Sequence, residues 1–142
     1  LQLERDYNYA QAYDNTKLAN LLLALELDRR STANGWGIAS LAAHPGVART
    51  NLIPNGPGLD SAEGWRLRML PFMFQSAADG ALPTLYAAAA SQAATGGYYG
   101  PDGFGGMRGL PDVAAVPAAA QDRQAATTLW AALEDMAKLS FS

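Results

Sequence analysis

The sequence has no cysteine and only one histidine, His44. Without cysteine there is no disulfide, no thiolate nucleophile and no cysteine-bound zinc, and one histidine cannot form a histidine cluster for a metal. We therefore predict no metal site and expect His44 to be structural. A chain without cysteine suits a reducing compartment, so a cytoplasmic location is expected.

Concentrated charge and long apolar runs are also lacking. The net charge is −3 and no block of lysine or arginine occurs, so nucleic acid is not expected as a partner. No apolar run approaches the ~20 residues of a bilayer-spanning helix, so there is no clear membrane segment. Hydrophobic residues make up 49% of the 142 residues and charged residues 16%, which indicates a folded globular protein rather than disorder.

A tyrosine and a lysine, Tyr13 and Lys17, lie four residues apart at the start of an apolar segment. Residues at this spacing share a helix face, and the lysine ammonium favours the ionised form of the phenol. Such a tyrosine can exchange a proton with a carbonyl or alcohol oxygen near neutral pH. The spacing alone is more typical of an ordinary helix N-terminus with an exposed lysine, so the residues that follow decide between these interpretations.

Leucines at helical spacing predict a helix over residues 12–30 that ends at Asn34-Gly35. Residues 36–43 are apolar and predict a parallel strand buried on both faces, followed by a turn at His44-Pro45-Gly46. This alternation predicts an α/β fold, a Rossmann-type doubly wound parallel sheet with flanking helices. Ligands bind such sheets at the carboxyl ends of the strands.

The remaining elements are predicted from local signals. Asp60 and Glu63 resemble a capping box, and Ser76 with Asp79 caps a helix that runs to about Ala90. The apolar residues within 65–74 either pack on the core or cover a substrate, and both alternatives remain open. We further predict loops at 53–59 and 100–118, a strand at 97–100, and a helix at 119–139 whose apolar stripe contains Leu129, Trp130, Leu133 and Met136.

Three stretches together resemble the C-terminal half of the short-chain dehydrogenases/reductases, in the branch of the retinol dehydrogenases and protochlorophyllide reductases. They are Tyr13-x-x-x-Lys17-Leu18-Ala19-Asn20, His44-Pro45-Gly46-Val47 with Thr50, and Gly97-Tyr98-Tyr99-Gly100-Pro101-Asp102-Gly103. The resemblance implies that residues 1–142 are the C-terminal part of a single dinucleotide-binding oxidoreductase domain. The family's glycine-rich loop and carbonyl-polarising serine cannot be located here. We therefore expect the N-terminal half to be a missing segment or a separate chain.

The resemblance also implies a role for each matching residue. Tyr13 would be the general acid/base, and Lys17 would hold the ribose hydroxyls beside the nicotinamide. Pro45, Gly46 and Val47 would lie against the nicotinamide. Thr50 would hydrogen-bond the carboxamide or a phosphate.

The implied cofactor is NADP or NAD, with NADP slightly preferred, and the implied substrate is a small alcohol or carbonyl compound, expected to be apolar. The alternative is a non-enzymatic dinucleotide-binding or scaffold module, or an inactive fragment. The apolar helix segment 18–27 leaves two further alternatives open. It could mediate a homodimer, or it could be buried in a complete sheet-and-helix core.

Overall fold

A computed structural model of the chain describes residues 7–48, 58, 60–69 and 74–141. Its helices and strands are α1 Tyr9–Asn34, β1 Ala42–Ala43, α2 Ala62–Met69, α3 Ala77–Ala89, β2 Tyr98–Pro101, β3 Pro111–Val113 and α4 Arg123–Ala137, with short 3-10 turns at Phe104–Gly106 and Ala118–Gln121. The chain forms two compact units, one from residues 1–41 with 116–142 and the other from residues 42–115. No helix among the described residues is both long and apolar enough to cross a membrane.

The first unit is built on α1, which begins earlier than the sequence predicts and ends where predicted. The Asn8 side chain accepts a hydrogen bond from the Gln11 N–H at 3.2 Å, and this cap starts the helix before residue 12. Gly35 ends the helix with a φ of 66°, a left-handed conformation that glycine adopts without strain. The apolar face of α1 packs on α4, where Leu22, Ala126 and Leu129 form the buried core.

Helix α4 begins at Arg123, four residues after the predicted start at 119. The Asp122 carboxylate accepts hydrogen bonds from the N–H groups of Gln124 and Ala125, and this cap fixes the helix start. Leu129 and Trp130 are buried as predicted, but Met136 is 69% exposed and does not belong to the buried stripe. The prediction was wrong there because helical spacing indicates a face but not how far the neighbouring helix covers it.

The second unit contains a three-stranded sheet in the order β1-β2-β3. Strand β1 runs parallel to β2, with Ala42 opposite Tyr98, and β3 runs antiparallel to β2, with Val113 opposite Tyr99. Helix α3 lies between β1 and β2 in the chain and packs on all three strands. A parallel pair joined through a packed helix is the unit of Rossmann-type folds, so the predicted α/β class is confirmed.

Two strand predictions need correction. The predicted strand at 36–43 is reduced to Ala42–Ala43, because the preceding residues bond to α1 instead. The Ile38 N–H and carbonyl both pair with the Ser31 hydroxyl, at 3.0 and 2.8 Å, and the Ser40 hydroxyl donates to the Ala24 carbonyl at 2.8 Å. The predicted loop at 100–118 contains β3, whose Pro-Asp-Val sequence has little strand propensity and becomes a strand through its pairing with β2.

Helix caps in the second unit were predicted with mixed success. Ser76 caps α3 as predicted, since its hydroxyl accepts from the Asp79 N–H at 3.0 Å and donates to the Asp79 carboxylate at 2.7 Å. Ser61, rather than Asp60, caps α2, because its hydroxyl accepts from the Gly64 N–H at 3.0 Å. The predicted loop at 53–59 falls, except for Gly58, outside the described residues.

Candidate active site

The predicted acid/base pair lies near the N-terminus of α1. The Lys17 ammonium lies over the face of the Tyr13 ring, 5.2 Å from its centroid. Tyr13 is 39% exposed, Lys17 is also exposed, and the Tyr9 ring stacks on Tyr13 with centroids 6.4 Å apart. The phenol and the ammonium are therefore in contact and both can reach a ligand from solvent.

The loop after β1, here called the strand-end loop, consists of Pro45, Gly46 and Val47. Gly46 has a φ of 61°, so the turn requires a residue that tolerates left-handed backbone. The Gly46 N–H donates to His44 Nδ1 at 3.3 Å, and the Val47 N–H donates to the Met107 carbonyl at 2.7 Å. These bonds hold the loop at the carboxyl ends of the two parallel strands, β1 and β2.

Gly46 is also required by a close contact within the protein. A Cβ atom at this position would lie 2.8 Å from the Met107 carbonyl carbon and 2.8 Å from Pro101 Cγ, closer than real side chains approach. The backbone approach observed here is therefore to the segment that follows β2. The predicted contact between Gly46 and a flat nicotinamide ring stays a prediction.

His44 contacts protein groups on several sides. Its ring lies 5.2 Å from the Tyr98 ring, and an added Cβ on Gly100 would overlap the imidazole, so glycine is needed there. Burial lowers the pKa of His44, which favours a neutral imidazole that accepts the Gly46 N–H at Nδ1. Burial also raises the pKa of Tyr98. His44 thus supports the strand-end loop from the protein side.

Gln75, which was not predicted from the sequence, also supports the strand-end loop. Its side chain donates from Nε2 to the Pro45 carbonyl at 2.6 Å and accepts at Oε1 from the Gly109 N–H at 3.2 Å. Its backbone N–H donates to the Val47 carbonyl at 3.0 Å. The partners lie about thirty residues before and after Gln75, so no local pattern could have indicated it.

The predicted site residues thus fall into two groups. Tyr13 and Lys17 belong to the first unit, and Pro45, Gly46 and Val47 belong to the second. Thr50 lies outside the described residues. The roles predicted for all six residues remain predictions.

Comparison with known proteins identifies relatives among oxidoreductases. Human retinol dehydrogenase 12 is 39% identical over 90 residues, which cover 63% of this chain and 27% of that protein. The short chain dehydrogenase/reductase dpmpH of Macrophomina phaseolina is 37% identical over 84 residues, which cover 58% of this chain and 38% of that protein. No protein-family model matches the chain.

A solved structure extends the comparison to the fold. The crystal structure of an uncharacterised protein from Mycobacterium paratuberculosis matches 99% of this chain and 43% of its own, with a TM-score of 0.70 and 33% identity. The chain spans less than half the length of each of these three proteins. The chain is therefore a homologue, over more than half of its length, of the short-chain dehydrogenases/reductases, retinol dehydrogenases among them.

Proposed function

We propose that this chain is part of an oxidoreductase that transfers hydride between NADP or NAD and an alcohol or carbonyl compound. The observation that carries the proposal is the Lys17 ammonium over the Tyr13 ring at an exposed position on α1. The similarity to proteins named dehydrogenases and reductases supports the same reaction class.

The hydrogen-bonding groups of Lys17 and Tyr13 are of the kinds that bind a dinucleotide. The Lys17 ammonium offers three donors, and the Tyr13 hydroxyl can donate and accept, as the neighbouring hydroxyls of a ribose require. Both side chains are exposed, so neither has to be uncovered before a ligand binds. On this proposal Lys17 binds the ribose, the strand-end loop lies against the nicotinamide, and Thr50 hydrogen-bonds the carboxamide or a phosphate.

Tyr13 handles the proton in the proposed reaction. When bound, the reduced nicotinamide would supply the hydride that forms the new C–H bond of the alcohol. The Tyr13 hydroxyl donates its proton to the carbonyl oxygen, and in the reverse direction the phenolate accepts it. On this proposal the Lys17 ammonium, which lies over the Tyr13 ring, is beside the phenolate that forms when Tyr13 gives up its proton.

The proposed substrate is apolar. One relative is named a retinol dehydrogenase, and retinol is largely hydrocarbon. In α2, Trp65 and Met69 are 59% and 54% exposed, which leaves apolar surface available to a ligand. Retinal is therefore a suitable probe carbonyl for the assay.

The test compares Tyr13→Phe with Tyr9→Phe in the full-length protein. Tyr9 is the matched control because it stacks on Tyr13, lies on the same helix and is 49% exposed. Retinal reduction is followed by NADPH and NADH absorbance, and cofactor binding by nicotinamide fluorescence. We expect Tyr13→Phe to lower kcat at least about 100-fold with the cofactor Kd little changed, and Tyr9→Phe to leave both values near those of the unsubstituted protein.

Two results would contradict the proposal in different ways. Substantial turnover by Tyr13→Phe would remove Tyr13 from the chemistry. Cofactor binding by the unsubstituted protein without reduction of retinal or of a panel of other apolar aldehydes and ketones would favour the non-enzymatic dinucleotide-binding module.

A further inference from the structure

We infer that Gln75 is a positioning residue that fixes the strand-end loop in the conformation that receives the nicotinamide end of the cofactor. The inference rests on the proposed function for the identity of the ligand. All the contacts that carry it lie within the second compact unit, residues 42–115.

Gln75 is buried, and its side chain hydrogen-bonds to the strand-end loop at one end and to the segment after β2 at the other. Only 6% of the residue is exposed, and its amide bridges the Pro45 carbonyl and the Gly109 N–H. Both ends of the amide are therefore used, which fixes the orientation of the side chain. The bridge joins the strand-end loop to the segment after β2.

The backbone of Gln75 adds a second connection. Its N–H donates to the Val47 carbonyl at 3.0 Å, and residues 48 and 75 form a parallel bridge. Because proline has no N–H, the Pro45 carbonyl is its one polar backbone group, and Gln75 binds it. Gln75 thus holds the loop at its first and last residues, Pro45 and Val47.

Holding these two residues determines which surface the loop can present. His44 and Met107 bind the N–H groups of Gly46 and Val47, so with Gln75 they restrain all three residues from the protein side. A ligand that packs against such a loop meets a fixed surface and does not pay the entropy of ordering it. Loss of Gln75 should therefore weaken binding of the part of the cofactor that touches the loop.

The experiment separates that effect from a general loss of structure. Gln75→Met removes both amide hydrogen bonds at similar volume. Gln121→Met is the control, because the exposed Gln121 amide donates one bond of 2.8 Å to the Val116 carbonyl in the first unit. The full-length variants are titrated with NADPH and NADH, and with ADP-ribose or its 2′-phosphate, which lack the nicotinamide.

We expect Gln75→Met to raise the Kd of whichever reduced cofactor binds by about tenfold, the value of one to two hydrogen bonds. The Kd of the matching ADP-ribose compound should change less than about twofold, since it lacks the ring that touches the loop. Hydrogen exchange of the Val47 and Gly109 amides should become faster, while the Gly80 amide, bonded to the Ser76 carbonyl, keeps its rate. Gln121→Met should leave all these values unchanged.

Three outcomes would overturn the inference. Equal weakening of NADPH and ADP-ribose would mean that Gln75 only supports the fold. An unchanged NADPH Kd would mean that the loop does not need Gln75. Absence of any nicotinamide binding by the unsubstituted protein would reject the proposed function and this inference with it, and only that outcome affects both.

Discussion

Glu26 shows how much one side chain can depend on its neighbours. The residue is 3% exposed, and its carboxylate accepts two hydrogen bonds from Arg29, at 2.8 and 2.6 Å, and one from Arg30 at 2.6 Å. The Arg30 guanidinium also lies 4.7 Å from the Trp130 ring, so the ionic cluster joins α1 to α4. The hydrogen bonds from Arg29, above all, hold the pKa of Glu26 below its ordinary value of 4.5, against the opposing effect of burial.

Replacement of this carboxylate should destabilise the protein in a pH-dependent way. We expect Glu26→Gln to lower the free energy of unfolding by about 2 kcal/mol at pH 7, less than for a fully buried pair because Arg29 is half exposed. Because the folded pKa is depressed, the stabilisation is fully present above pH 4.5, the ordinary value, and is lost as pH falls through the folded pKa. The difference between the two proteins in urea unfolding should therefore shrink from pH 7 to pH 3.

The control for Glu26 is Asp135→Asn. Asp135 pairs with Lys138 at 3.5 Å, but both side chains are more than 80% exposed, so the pair contributes little. A pH-independent loss in Glu26→Gln, or an equal loss in Asp135→Asn, would contradict the account of Glu26.

Contacts between residues at helical spacing could be predicted from the sequence. Contacts between residues far apart in the sequence could not. The contact of Lys17 with Tyr13 follows from helical spacing alone. Gln75 could not be predicted, because its partners are brought to it only by the folded sheet and helix. The space around Gly46 is likewise filled by Met107 and Pro101, which are far away in the sequence.

Helix α3 packs against residues 45–48 at a glycine, Gly80. Gly80 is buried, and a Cβ there would lie 2.7 Å from the Ala48 Cβ and 3.5 Å from the Pro45 Cβ. An alanine would improve helix propensity by about 1 kcal/mol, but it would also force α3 away from residues 45–48. Because glycine has no side chain, α3 can lie this close to residues 45–48 at Gly80.

We expect Gly80→Ala to lower the free energy of unfolding by about 1–2 kcal/mol, because the cost of overpacking exceeds the gain in propensity. The control is Thr84→Ala, at an exposed position of the same helix, which should be neutral or slightly stabilising. Urea unfolding of the full-length variants measures both. A stabilised Gly80→Ala protein would show that α3 and the loop can separate at no cost.

At the scale of elements, helices were better predicted than strands. The caps at Gly35 and Ser76 and the periodic leucines are local signals, and they predicted α1 and α3 well. Strand β3 was not predicted because it depends on pairing with β2. Strand β1 was predicted too long because an apolar run does not specify which residues pair with a neighbouring strand. A helix or strand could thus be predicted where the residues that determine it are close together in the sequence.

For the whole molecule, ligand binding should be measurable as stability. The proposed cofactor binds only folded protein, so NADPH or NADH at 100 times its Kd should raise the free energy of unfolding by about 2.7 kcal/mol. Lys17→Met should raise that Kd about tenfold, which halves the stabilisation at the same cofactor concentration. Thermal unfolding with and without cofactor measures this difference.

Lys138→Met is the matched control for Lys17, since the Lys138 side chain is 81% exposed and pairs only weakly with Asp135. Its cofactor-dependent stabilisation should equal that of the unsubstituted protein. A full stabilisation of Lys17→Met would exclude Lys17 from the cofactor site.

The fold class of the whole molecule was predictable because the alternation of helices and strands along the sequence is typical of α/β proteins. The mixed character of the sheet was not, since the antiparallel β3 leaves no signal in the sequence. The roles of Tyr13 and the strand-end loop are predicted from spacing and from resemblance, and cofactor titrations test them.

The aromatic cluster of the first unit has an optical consequence. Two of the three tryptophans in the sequence, Trp36 and Trp130, stack with ring centroids 6.4 Å apart, and Phe141 lies close to both. Indole transitions at this separation couple and should produce a circular dichroism couplet that disappears when the stack opens. The third indole, Trp65, is 59% exposed and belongs to the other unit, so its red-shifted emission reports separately. The chain thus carries a native spectroscopic label in each of its two units.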